Sequence, residues 1–204
     1  MTSGLQQLAA LASSQPLAPT CDHFYFLRHG QTARNAQRIF QASDEPLSEL
    51  GMQQAVRAAA LLAGEPIRAI LSSNMPRAVT TARTVAAPHG ITPLELEGLR
   101  ERHFGALIGT SSANIDWACA PEGGETLAVF IDRSRAALAQ ALMHPGPVLI
   151  VAHGGTLYVL AALLDIPIDL GALGNAQPLR FERSGAAWRL KPLMQPVDGG
   201  AALA

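Results

Sequence analysis

The sequence predicts an α/β protein: a three-layer α/β/α sandwich around a mostly parallel central sheet. Three observations carry that expectation. Short apolar runs of strand length alternate along the chain with longer stretches of helical periodicity, the order that builds parallel strands joined by crossover helices. The clearest runs, Phe24 to Leu27 and Val148 to Ala152, are apolar throughout, as suits strands covered on both faces. Both runs then break off into a His-Gly pair, and in open α/β sheets the carboxyl ends of strands are where ligands bind.

The elements follow in order. Met1 to Thr20 is rich in Ala, Leu, Ser and Gln and reads as a loosely ordered N-terminal extension, residues 1–20. It lacks the basic start of a signal peptide, so the chain is expected to be cytoplasmic. A single domain is expected over residues 21–195, opened by the strand Phe24 to Arg28. Ser48 is an N-cap for a helix from Glu49 to Ala63, with Gly64 as its stop. Ile67 to Leu71 is a second buried strand. Pro76 suits the first turn of a helix that runs to about Ala87 and ends at Pro88-His89-Gly90. Thr92 to Leu96 is a weaker strand. Gly98 to Gly124 is irregular, with Gly-, Ser- and Pro-rich pieces, and reads as a functional loop region. Thr126 to His144 is a long helix stopped by Pro145-Gly146-Pro147, and Val148 to Ala152 is the most hydrophobic strand. Thr156 to Asp165 is a helix, and Leu179 to Glu182 pairs with Ala187 to Leu190 as a hairpin across Ser184-Gly185. Residues 196–204 are Gly- and Ala-rich and read as a flexible tail.

Composition narrows the function classes. Apolar residues make up 49% and charged residues 15%, the balance of a folded globular chain. The net charge of −1 supplies no general field, so neither nucleic acid nor a membrane is an expected partner. No apolar window reaches the length of a membrane span. Cys21 and Cys119 stand in no metal-like or redox-like spacing and read as reduced structural thiols. The basic residues are fourteen Arg and one Lys, so only the placement of individual arginines is informative. A monomer and a homodimer are both compatible with these numbers.

The chemistry sits at three strand ends. The first delivers Leu27-Arg28-His29-Gly30 and the last delivers Val151-Ala152-His153-Gly154-Gly155. Parallel neighbours present their carboxyl ends on one edge, so both histidines are expected in one crevice. The strand Ile67 to Leu71 feeds Ser72-Ser73-Asn74-Met75-Pro76-Arg77, which puts Arg77 in a first helical turn near that edge. A helix start favours an anion, and Arg28 with Arg77 makes a two-pronged clamp for an oxyanion. His23, His89 and His144 read as solvated or loop residues. Glu125 reads as a stabiliser of a first helical turn rather than a catalytic group.

At this point the chain resembles a known family, the histidine phosphatase superfamily, which includes the cofactor-dependent phosphoglycerate mutases. The resemblance runs from about Phe24 to Glu182 and rests on ordered blocks. These are Leu27-Arg28-His29-Gly30-Gln31-Thr32-Ala33-Arg34-Asn35, Asp44 to Ala55, Leu71 to Ala82, Leu99 to Gly105, Gly123 to Thr126, and Val151 to Gly155. The resemblance implies a phosphoglycerate mutase-like fold and a metal-independent, cofactor-free phosphatase acting on a small phosphorylated substrate. It implies that His29 attacks phosphorus, that Arg28, Arg77 and His153 hold the phosphoryl oxygens with help from Asn35, and that Glu101 protonates the leaving oxygen. Gln41, Thr32, His103 and Gly154 join Asn35 as candidate substrate contacts. In that scheme His29 acts as neutral imidazole, its other nitrogen donating to a backbone carbonyl, while His153 is useful as a cationic donor.

The chain departs from the family pattern in two places. Ala106-Leu107-Ile108-Gly109 stands where many relatives carry polar or acidic residues and Trp, and Gln41-Ala42 stands where many have Gln-Gly. An apolar wall around Leu107 and Ile108 points to a leaving group less polar than a glycerate. The competing readings are a phosphomutase, a metal hydrolase using His29, His153 and Glu101, and a phosphate-ligand-binding module without turnover. The short segment Gly109 to Glu122 favours hydrolysis over a mutase reaction, which needs water excluded.

Overall fold

The computed structural model describes residues 4–167 and 174–193. Among them six strands form one sheet: β1 (His23–Arg28), β2 (Ala69–Ser72), β3 (Leu94–Glu95), β4 (Val148–Ala152), β5 (Pro178–Ser184) and β6 (Ala187–Pro192). Their order across the sheet is β3-β2-β4-β1-β5-β6. The first four in that order run parallel, and the β5–β6 hairpin adds to β1 antiparallel.

The alternation of side chains along each strand explains the three layers. Phe24 and Phe26 share one face with Leu71 and Ile150, packed against α1 (Gly4–Ser13), α5 (Leu127–Leu142) and α6 (Gly154–Leu163). Tyr25 and Leu27 share the other face with Ile70, Leu149 and Val151, packed against α3 (Glu49–Leu62) and α4 (Pro76–Ala86). Both faces are covered, which is why the central strands read as unbroken apolar runs. Each large side chain buried this way stabilises the fold by roughly 1.5–3 kcal/mol.

Helix starts obey local chemistry. The Ser48 hydroxyl accepts the Gly51 amide and Thr126 accepts Val129 N, each satisfying a donor left free by its first turn. A short helix, α2 (Ala33–Ala36), is capped in the same way by Thr32. Three elements differ from expectation. Strand β2 begins at Ala69 rather than Ile67, because the Ile67 amide turns back onto Glu65 O at 2.8 Å before pairing starts. Helix α6 begins at Gly154 rather than Thr156, so His153 itself occupies the N-cap. Strand β3 is only the pair Leu94–Glu95 at the sheet edge.

The N-terminal segment also differs. It was expected to be loose, yet α1 lies on the α5–α6 layer with Leu8 and Ala12 fully buried. Leu8 and Ala12 stand four residues apart on one helical face, and composition without periodicity hides that pair. The expected tail, residues 196–204, lies outside the described residues.

Candidate active site

Strand register builds the centre of the site. Arg28 pairs with Ala152 across β1 and β4, so the next residues, His29 and His153, emerge side by side. Their ring centroids are 5.1 Å apart, and the His29 amide continues the ladder to Ala152 O at 3.0 Å. On the other flank Ser72 pairs with Val151, which brings Ser73 Oγ to 2.8 Å from His153 Nε2. The same strand end leads into α4 and sets Arg77 in its first turn, almost wholly buried.

The His29 ring is held in one tautomer. Its Nδ1 lies 2.7 Å from Gly30 O, a group that only accepts, so Nδ1 carries the proton and Nε2 keeps a free lone pair. Burial, then the Arg77 and Arg28 charges, push its pKa well below the ordinary 6.5, opposed only by the Gly30 carbonyl. His153 is driven the same way, by burial first and then by Arg77, His29, Arg28 and Arg133. Burial and these charges thus oppose the cationic form of His153, the form that a phosphate would favour. The Ser73 hydroxyl already accepts the Met75 amide at 3.3 Å, so its own proton is free for His153 Nε2. That leaves His153 Nδ1 as a buried nitrogen without a partner.

The two arginines point to an anion. Arg77 donates to Ala42 O and to Met75 Sδ, each at 3.1 Å, while its Nε has no partner. Arg28 Nε is likewise buried and unpartnered. Burial lowers both guanidinium pKa values, and Glu101 is the first charge opposing that in each case. Buried donors aimed at a common space are stabilised by an oxyanion that accepts from them.

Glu101 faces this cluster from the irregular segment. Its Oε2 accepts the Gly155 amide and its Oε1 accepts the Arg102 amide, each at 3.0 Å. Gly155 is required here: a Cβ at that position would lie 2.2 Å from Glu101 Oε1 and 2.9 Å from Trp117. The second glycine constraint is Gly30, where a Cβ would stand 2.4 Å from Gly51 O, so α3 meets the His29 loop backbone to backbone.

Two arginines outside the cluster fix the Glu101 segment. Arg133 of α5 donates to Gly98 O at 2.9 Å and Arg100 O at 3.0 Å, and pairs with Glu125 at 2.7 Å. Glu125 in turn accepts the His103 amide at 2.8 Å, so both sides of Glu101 are tied to one helix. Burial, which raises the Glu125 carboxyl, is outweighed by Arg133 and the His103 amide, and its pKa is lowered. Glu125 thus lies one residue before the Thr126 cap and works through its ion pair, not through a first helical turn. Arg102 is buried and donates to the carbonyls of Trp117, Cys119 and Glu125, which draws residues 117–119 against the pocket.

The remaining candidates divide. Asn35, Gln41, His103 and Gly154 line the pocket with Arg28, Arg77 and Glu101. Thr32 does not line it; its hydroxyl is buried, donates to Gln41 Oε1 at 2.8 Å and accepts Asn35 N at 3.0 Å, so it holds two wall residues from behind. Ile108 faces the pocket, whereas Leu107 packs on the main core. The cavity holds about 220 Å³, and Phe40, Ile115, Trp117 and Tyr158 complete its apolar side. Among the described residues no group of three His, Cys, Asp or Glu is placed to hold a metal ion, and no helix is long and apolar enough to cross a membrane.

Sequence reasoning missed Asn175. Its Nδ2 donates to His29 O at 3.0 Å and to Asn35 Oδ1 at 3.2 Å. The His29 carbonyl only accepts, so it fixes which end of the Asn175 amide faces inward. That in turn fixes Asn35 with its oxygen engaged and its NH2 free for the pocket. Asn175 is 146 residues from His29, and nothing local in the sequence signals the contact.

Comparison with known proteins agrees with this geometry. The family model described as histidine phosphatase superfamily (branch 1) matches residues 24–194. The chain is similar to glucosyl-3-phosphoglycerate phosphatase of Mycolicibacterium vanbaalenii, 36% identical over 179 residues that cover 74% of this chain and 79% of the relative. It is also similar to a probable phosphoglycerate mutase, GpmB, of Yersinia pestis, 34% identical over 167 residues covering 70% and 75% of the two chains. The solved structure of a mycobacterial glucosyl-3-phosphoglycerate phosphatase in complex with VO3 superposes with a TM-score of 0.71 at 34% identity, covering 84% of this chain and 98% of that one. Fold, strand-end histidines, arginine pair and relatives converge, and the chain belongs to the histidine phosphatase superfamily, branch 1, as a phosphatase of that family.

Proposed function

We propose that the enzyme hydrolyses a small phosphate monoester with His29 as nucleophile, Glu101 as proton donor and acceptor, and Arg28, Arg77, His153 and Asn35 around the phosphoryl oxygens. The observation that carries this assignment is the His29 ring: Nδ1 is tied to Gly30 O, and Nε2 is left unprotonated beside two arginines with unpartnered Nε groups.

His29 Nε2 attacks phosphorus while the ester P–O bond breaks, and Glu101 passes its proton to the departing alcohol oxygen. A phosphohistidine results. Glu101, now a carboxylate, takes a proton from water as that water attacks phosphorus. The P–N bond breaks, inorganic phosphate leaves, and both side chains return to their starting states. General acid catalysis accounts for about 10²–10⁴ of the rate. Phosphate monoester hydrolysis is among the slowest uncatalysed reactions, so the larger share must come from positioning and from donors around the equatorial oxygens. When the phosphate arrives, its charge opposes burial at His153 and favours the protonated ring. Asn175 and Thr32 act behind the wall, turning the Asn35 and Gln41 amides so that their NH2 groups face the anion.

The test is release of inorganic phosphate from simple monoesters without metal. His29→Ala is expected to lower kcat by about 10³-fold or more. Glu101→Gln is expected to lose about 10²–10⁴-fold on an alkyl phosphate. On 4-nitrophenyl phosphate, whose leaving group needs no proton, it should lose far less. An equal loss on both esters in kcat/KM, which does not register the later attack of water, would remove Glu101 from the acid role, and full activity in His29→Ala would remove the nucleophile.

A further inference from the structure

The free guanidinium donors on the pocket wall are sufficient for one phosphoryl dianion and little else. Beyond Arg28 and Arg77, the one guanidinium on that wall is Arg102. Its Nε, Nη1 and Nη2 are already spent on the carbonyls of Glu125, Trp117 and Cys119. Arginines elsewhere around the site are engaged too: Arg34 pairs with Glu45 at 3.2 Å, Arg38 donates to Ala113 O at 3.2 Å, and Arg100 holds Glu97 and Asn74. Residues 1–3, 168–173 and 194–204 contain neither Lys nor Arg, so no guanidinium or lysine ammonium can come from them. The single lysine, Lys191, is on β6 at the far edge of the sheet.

Much of the remaining wall is apolar instead. Phe40, Ile108, Ile115 and Trp117 belong to it, and among the described residues His103, Ser43, Ser112 and the Tyr158 hydroxyl are its polar breaks. A carboxylate set against such a wall gives up its hydration without a counter-charge, whereas an apolar group there gains by leaving water.

Resting on the phosphatase reading above, we infer that the substrate is the monoester of an uncharged, largely apolar alcohol, and that an alcohol bearing a carboxylate is selected against. The surroundings of Ile108 set that preference. The same wall argues against a mutase reaction on a phosphoglycerate, because it offers the glycerate carboxylate no free guanidinium.

The experiment compares kcat/KM for benzyl phosphate, glycerol 3-phosphate and 3-phosphoglycerate. All three release a primary alcohol, and the last two differ by a carboxylate in place of a hydroxymethyl group. Benzyl phosphate is expected to lead, and 3-phosphoglycerate to fall about tenfold or more below glycerol 3-phosphate, a difference of about 1.4 kcal/mol or more. Ile108→Lys is expected to narrow the gap between those two by about tenfold. A wild-type preference for 3-phosphoglycerate, or equality with glycerol 3-phosphate, would overturn the inference, and an unmoved gap in Ile108→Lys would overturn the role of that wall. If no ester is hydrolysed, the phosphatase reading fails separately. Calorimetric binding of benzyl phosphate against 3-phosphoglycerate then decides the specificity: tighter benzyl phosphate supports it and tighter 3-phosphoglycerate overturns it.

Discussion

At the scale of single residues the site is a set of donors whose direction is imposed from outside the pocket. The Asn35 amide is the clearest case. A side-chain amide can present either end, and only the chain from His29 O through Asn175 to Asn35 Oδ1 decides which one faces the anion. Asn175→Ala is therefore expected to raise the inhibition constant of inorganic phosphate and lower kcat/KM by about tenfold or more, the range of a hydrogen bond to a charged group. In an Asn35→Ala background the same substitution should add almost nothing, because the group it orients is gone. Full additivity in that double-mutant cycle, read by steady-state kinetics, would mean that Asn175 acts elsewhere. The histidines follow the same logic. His29 is directed by Gly30 O and His153 by Ser73, so each ring's available nitrogen is set by a partner that never meets the substrate.

At the scale of elements, strand register does most of the assembly. Register sets His29 of the β1 end level with His153 of the β4 end, with Ser73 of the β2 end one residue short of His153, and the turn after β2 adds Arg77. This much is legible in the sequence, because apolar runs that end in charged and imidazole side chains show both the strand and its functional end. The capped helices are legible for the same local reason: Ser48 and Thr126 precede helical periodicity. Other parts are not legible. Arg102 and Asn175 act through carbonyls and amides distant along the chain, and their own neighbours look like ordinary polar sequence. Thr32 stands within the most recognisable block yet turns its hydroxyl away from the cavity, since proximity along the chain does not fix direction. Helix α1 is hidden by a composition that resembles a disordered leader, although Leu8 reaches the core. Leu8→Ala is expected to lower the unfolding free energy by about 2–5 kcal/mol, measured by denaturant titration. A change below about 0.5 kcal/mol would mean that α1 is not docked in solution.

At the scale of the whole molecule, catalysis and stability share two buried histidines. Both have folded-state pKa values well below 6.5, so below pH 6.5 the unfolded chain binds protons that the folded chain refuses. Stability is therefore full above pH 6.5 and falls as the pH drops through that value. The slope approaches about 1.4 kcal/mol per pH unit for each histidine until the folded-state pKa is reached. Glu125 works in a separate window: its pKa is depressed, so its contribution is present above 4.5 and is lost only as the pH falls further. Guanidinium titrations at pH 7.5 and 5.5 should show the loss, and His29→Ala should remove about half of it. A flat stability between those two values would contradict the burial of neutral rings.

In the proposed mechanism the same neutral ring makes His29 the nucleophile, and that central claim is tested most directly by trapping what the ring forms. A turnover reaction on benzyl phosphate is quenched into alkaline denaturant and the peptide carrying residues 28–35 is analysed by mass spectrometry. The account predicts a phosphoryl group on His29, lost on acid treatment and absent from His29→Ala. Phosphate release at the wild-type rate with no phosphoryl group on His29, or with the group on another residue, would contradict it.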